Sequence, residues 1–175
     1  EANHTPEALA KLRQLAGVGP DQPIPRTRRG DFRERPTELF HAEAEFYASV
    51  EREFILGMQT YLKDTLGVES LLAANSDHTY FIPNQPLIRN TSLLDTVDAH
   101  VYWEHPAIWG RRNTPMVNAP LQSTIVKLNR SPMAGRPFTV SEVNHPNPNE
   151  YGAEMIPLLA AYGAFHDWDG IYFYT

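Results

Sequence analysis

The chain has 175 residues, with 21 acidic against 15 basic side chains, a net charge of −6, 42% hydrophobic residues and no cysteine. That length supports one domain with its own core, and the acidity excludes the basic patch a nucleic-acid partner would need. Absence of cysteine excludes disulfides and thiolate metal sites and leaves the compartment open; no apolar stretch is long enough for a membrane-spanning helix.

No signal-peptide pattern opens the chain. It begins at Glu1 and stops at Thr175 on an expected strand, so it reads as a processed or truncated piece. Thr5-Pro6-Glu7 followed by Ala8 to Ala16 and Gly17 predicts a short helix, capped by Thr5 and ended by the glycine. Residues 18–36 carry Pro20, Pro23, Pro25 and Pro36 without periodicity, which predicts an extended linker. Its basic run, Arg26, Arg28, Arg29, Arg33 and Arg35, is interspersed with Asp31 and Glu34 and is expected to be solvated. Residues 1–35 are thus read as a helix and linker packing on a domain that spans 36–175.

A long helix is predicted from Pro36 to Leu66, ended by Gly67. Its apolar residues Leu39, Phe40, Phe46, Tyr47, Val50, Phe54, Met58, Tyr61, Leu62 and Leu66 recur at three and four, and are expected to pack in the core. Strands follow at Val68–Ala74, Val97–Tyr102, Pro137–Val143 and Asp169–Tyr174, with helices over Leu121–Arg130 and around Glu150 to Phe165, the latter expected to be regular only from near Ile156 because it contains Pro157. Alternation of strands with helices or loops predicts a parallel α/β sheet.

Each strand ends in polar or aromatic residues: Asn75 to His78, His100 to His105, Glu142 to His145, and Tyr172 to Tyr174. Parallel strands place their C-terminal ends on one side, so these residues should share a mouth. Glu142 stands at the end of the apolar run Phe138 to Val143, before two prolines that stop the strand. A buried carboxylate without partners costs several kcal/mol, so Glu142 belongs at an opening; by itself it reads equally as a solvated glutamate. Trp103 and Trp109 suit stacking on sugar rings, whereas Trp168, beside Asp169-Gly170, is expected to pack.

Ser141-Glu142, Asn144-His145-Pro146, Ala160 to Ala164 and Asp167 to Ile171 together resemble the last quarter of a (β/α)8-barrel retaining glycoside hydrolase, of the clan that includes cellulases and β-mannanases. The layout is similar from about residue 5 to 175, and the motifs are specific only at 98–106 and 137–172. The resemblance implies half of a TIM barrel, with four parallel strands, helices on the outer face and one long helix ahead of them. It implies that Glu142 is the nucleophile and that Tyr102, of His100-Val-Tyr102, orients it. His100, Trp103, His105, Asn144, His145, Asn75, His78 and Tyr174 would line the sugar site, with no cofactor and no metal.

The clan's acid/base glutamate follows an asparagine at the end of the fourth strand. Here Asn149-Glu150 opens a helix and Glu1 has no strand before it, so that role has no candidate. Expected partners are an oligosaccharide or polysaccharide, and either the missing N-terminal half-barrel or a second copy across the open sheet edges; a nucleic acid and a membrane are not expected. A closed dimer would place the second Glu142 four strands away, where the acid should stand three strands earlier. The chain alone is therefore expected to be inactive or nearly so, and a free-standing structural or carbohydrate-binding half-barrel is the alternative. A metal hydrolase built on the seven histidines finds no HExxH-type spacing in the sequence.

Overall fold

Alternating side chains decide how the central sheet is built. In the computed structural model, which describes residues 4–75, 84–104 and 112–174, four strands form one parallel sheet in the order β1 (Ala73–Asn75), β2 (Thr96–Tyr102), β3 (Phe138–Asn144) and β4 (Gly170–Phe173). Val97, Ala99, Val101 and Trp103 point to one face of β2, where they join Phe138, Val140 and Val143 of β3 in the core. That face is covered by Ile125 and Leu128 of α4 (Thr124–Leu128) and by Met155 and Leu159 of α5 (Met155–Phe165). The opposite face carries the intervening residues and is where the polar side chains collect.

Local chemistry explains the boundaries. Ser123 caps α4 by accepting a hydrogen bond from the Val126 N–H at 3.3 Å. Pro157 sits in the first turn of α5, where its missing N–H would be unpartnered in any case, so the helix begins at Met155. Phe138 and Asp169 bond reciprocally, the Phe138 N–H to the Asp169 carboxylate at 2.8 Å and the Asp169 N–H to the Phe138 carbonyl at 2.9 Å, which starts β4 beside β3. Trp168 packs edge-on against Phe138 with ring centres 5.5 Å apart, as expected.

The first strand is shorter than Val68–Ala74. Only Ala73–Asn75 joins the ladder, and Leu71 is exposed. Asp95 holds the preceding segment instead, accepting from the Leu72 N–H at 2.8 Å and pairing with Lys63 at 3.6 Å. A helix, α3 (Asn84–Thr91), which has no counterpart in the sequence reading, packs against β1 and β2.

The chain divides into two compact units, Glu1–Phe54 and Ile55–Thr175, so the boundary falls within the long helix. In the first unit, α1 (Pro6–Leu15) starts at the Thr5 cap, whose hydroxyl accepts from the Ala8 N–H at 3.2 Å, and Gly17 follows it at a φ of +67°. Arg35 is not solvated: its guanidinium bonds to the Thr27 hydroxyl at 2.7 Å and to the Pro25 carbonyl, with Glu43 at 3.8 Å. One guanidinium thus ties the Pro25 carbonyl and the Thr27 hydroxyl of the linker to Glu43 of the long helix.

Helix α2 runs over Thr37–Thr60 and closes in a single π-helical turn, Tyr61–Thr65, before Gly67 at a φ of +67°. Its apolar stripe does not become core. Leu39, Ala48 and Ile55 are buried, yet Phe46, Val50, Phe54 and Met58 are 40–66% exposed. Periodicity marks the face of a helix; what covers that face is decided by the rest of the fold. Among the described residues, no helix is long and apolar enough to cross a membrane.

Candidate active site

The polar face of β2 carries Thr96, Asp98, His100 and Tyr102, the residues between those of the core. Register places Asn75 of β1 beside Asp98 on this same face, where it is exposed. On β3, strict alternation from Phe138 would turn Thr139 and Ser141 toward the polar face and send Glu142 into the core. The ladder shows otherwise. Asp98 lies beside Thr139 and His100 beside Glu142, so two residues of β3 stand opposite one of β2. The same excess recurs against β4, where Val140 pairs with Ile171 and Val143 with Phe173. This is a β-bulge centred on Ser141 and Glu142, the kind of insertion that re-aims side chains beside functional sites. Both residues therefore face the polar side, and Val143 returns to the core.

Glu142 is 30% exposed and sits at the C-terminal end of β3. The Tyr102 hydroxyl donates to its Oε1, and His100 Nδ1 lies 3.5 Å from its Oε2. Burial, then the hydrogen bond and charge of Glu142, push the Tyr102 phenol well above its usual pKa. Tyr102 thus stays protonated and remains a donor to the carboxylate. His100 Nε2 meets the Ser141 hydroxyl at 2.5 Å and Asp98 at 3.3 Å. Asn144 follows at the strand end, its amide donating to the Tyr174 carbonyl at 2.6 Å, and the Tyr174 side chain is exposed. Glu142, Tyr102, His100, Asn144 and Tyr174 are thus held on two adjoining strands and the segment after β4.

Two expected sugar-site residues are placed elsewhere. Trp103 is 8% exposed on the core face, its indole N–H bonded to the Thr114 carbonyl at 2.9 Å. His145 is 5% exposed, with its ring edge-on to Trp103 at 6.2 Å and Nδ1 3.2 Å from the Tyr151 carbonyl. Odd positions of β2 face the helices, and the bulge hands His145 to the same side, so neither lines the polar face. His78, His105 and Trp109 lie outside the described residues.

His145 supports a pH test. A carbonyl only accepts, so Nδ1 carries the proton and Nε2 is left buried with no partner. Burial lowers its pKa, opposed by the Tyr151 carbonyl and the charges of Glu154 and Glu104. A lowered folded-state pKa means that the unfolded chain takes up the proton first, so stability present above about pH 6.5 is lost as pH falls below it. Thermal melts followed by tryptophan fluorescence should show this loss, and His145→Phe should flatten it between pH 7 and 5. An unchanged pH slope in the variant would contradict the assignment.

Sequence reasoning missed Asp98 and Ser141. Asp98 is 3% exposed and accepts from the Thr139 hydroxyl at 2.7 Å, the Ser141 N–H at 3.0 Å and the Ser141 hydroxyl at 2.6 Å. An aspartate in the middle of an apolar strand was the available signal. Among the described residues, no group of three or more acidic, histidine or cysteine side chains could hold a metal ion. A cavity of about 400 Å³ lies in the N-terminal unit and contains none of these residues. No family model, no curated protein and no solved structure matches the chain.

Proposed function

We propose that this chain is the C-terminal half of a (β/α)8-barrel retaining glycoside hydrolase, with Glu142 as the nucleophile. One observation carries the reading. A partly exposed carboxylate stands at the C-terminal end of a parallel strand, on the face away from the helices, and accepts a hydrogen bond from a hydroxyl on the neighbouring strand. Chemistry in parallel barrels takes place at that end. In this reading Glu142 attacks the anomeric carbon, the glycosidic C–O bond breaks, and a glycosyl-enzyme ester forms. Tyr102 holds the attacking carboxylate in line by its hydrogen bond. His100 and Asn144 offer polar contacts to sugar hydroxyls, and the exposed ring of Tyr174 offers an apolar face to the sugar's C–H groups.

Retaining hydrolysis needs a second carboxyl roughly 5–5.5 Å from the first. No residue of this chain is assigned that role, so natural substrates with poor leaving groups should turn over slowly. General acid help contributes about 10²–10⁴-fold. The direct test supplies a leaving group that needs no proton. Dinitrophenyl fluoroglycosides of glucose, mannose and galactose configuration are offered to the chain, and the product is read by intact mass and peptide mapping. A fluorosugar ester on Glu142 is expected with one of them. Absence of any adduct, with oligosaccharide binding retained in calorimetry, would favour the binding module.

Tyr102→Phe should slow labelling without abolishing it. A hydrogen bond to a charged group is worth about 1.5–3 kcal/mol, which corresponds to about 10- to 150-fold. Labelling at the parent rate would remove Tyr102 from the mechanism.

Self-association is the second reading, and the β4 edge favours it. Tyr172, Phe173 and Tyr174 are all exposed there, and an open aromatic edge invites pairing. Dilution-dependent elution in gel filtration is its expected sign.

A further inference from the structure

We infer that Asp98 is a positioning residue, whose buried carboxylate holds the β3 bulge and thereby aims Glu142 at Tyr102. A bulge removes backbone groups from the ladder, and a displaced N–H needs another acceptor. The Ser141 N–H is the one displaced here, and it bonds at 3.0 Å to Asp98 Oδ1. The same oxygen accepts from the Thr139 hydroxyl at 2.7 Å, and Oδ2 accepts from the Ser141 hydroxyl at 2.6 Å. All three donors belong to β3 and lie on both sides of Val140, where the register slips. An ionised carboxylate only accepts, so its two oxygens match this set of donors. Asp98 itself stands at the last regular pair before the irregularity.

Without the clamp, strand alternation is free to return. Glu142 would then turn toward Met155 and Leu159, where an unpartnered carboxylate is not tolerated. Ser141, His100 and Glu142 also resemble a serine nucleophile with its base and orienting acid. The Ser141 hydroxyl and N–H are both engaged by Asp98, which leaves neither a free nucleophile nor that amide for an oxyanion. The cluster is a brace.

The experiment compares Asp98→Leu with Asp98→Asn, the latter keeping Oδ1. The Tyr102 phenol is titrated by ring-carbon NMR, assigned with Tyr102→Phe, because the hydrogen bond and charge of Glu142 add to burial in raising its pKa. Asp98→Leu, folded by circular dichroism, should lower this titration by the part that Glu142 supplies while the part from burial remains, and Asp98→Asn should leave it unchanged. Labelling of Glu142, which rests on the proposed glycosidase reading, should fall by about a hundredfold in Asp98→Leu, as misplacement of a reacting group does, and recover in Asp98→Asn. An unchanged Tyr102 titration in folded Asp98→Leu overturns the assignment. If the parent chain is not labelled at all, the glycosidase reading falls and the titration still judges the clamp. If Asp98→Leu does not fold, amide exchange in the unsubstituted protein decides. A slowly exchanging Ser141 N–H supports the clamp, and an unprotected one overturns it.

Discussion

Glu142→Gln should abolish adduct formation with every activated glycoside that labels the unsubstituted chain, leaving only spontaneous hydrolysis of the reagent. The amide keeps the shape of the side chain, and its oxygen still accepts from the Tyr102 hydroxyl. Folding should therefore be unchanged while the attacking lone pair on a charged oxygen is lost. Glu104→Gln is the matching control. Glu104 also lies past the end of β2, in a left-handed conformation with φ of 52°, and its carboxylate accepts from the Thr114 hydroxyl at 2.5 Å and from the Asn149 amide at 3.1 Å. Those bonds tie two loops together, and labelling should continue when that carboxylate becomes an amide. Labelling that survives in Glu142→Gln would show that the adduct does not form on Glu142.

Leu159→Ala should destabilise the C-terminal unit by about 2–5 kcal/mol, the range for removing a buried leucine side chain and leaving a cavity. Leu159 is fully buried, and it belongs to the core that α5 shares with Val97, Val140 and Val143 of the sheet. The core is closely packed, so the gap cannot be refilled without moving the helix. Leu121 is the exposed counterpart, and Leu121→Ala should change stability by no more than about 0.5 kcal/mol. Urea unfolding read by tryptophan fluorescence reports on this unit, because all three tryptophans lie in it. Equal midpoints for the two variants would contradict the placement of α5 on the sheet.

Much of the fold was legible because its signals are local. Phe138 to Val143 reads as a strand from its β-branched and aromatic composition, and it is one. Thr5 with Pro6 starts a helix and Gly67 ends one because a cap, a fixed φ and a left-handed residue act within a single turn. The first strand was overestimated, since Leu71 and Leu72 have the right composition but Leu71 is exposed and Leu72 is held by Asp95 rather than by a neighbouring strand. Helix α3 escaped because its eight residues include a proline and too few apolar positions to show a period.

By itself the sequence determined where three strands and the long helix lie, that the strands run parallel, and that Glu142 stands near a strand end, while the tyrosine beside it was implied by the resemblance alone. Only the tertiary structure decided which side chains share a face. Alternation says that neighbours point opposite ways, and a single inserted residue reverses that rule beyond it. The bulge at Ser141 and Glu142 brings both onto the polar face, while Trp103 and His145 go to the helix side. The apolar stripe of α2 makes the same point, since a periodic pattern identifies a face and cannot say what lies against it. Pairing across strands is long-range: Asp98 of β2 accepts hydrogen bonds from Thr139 and Ser141 of β3, and no local window of residues contains both partners.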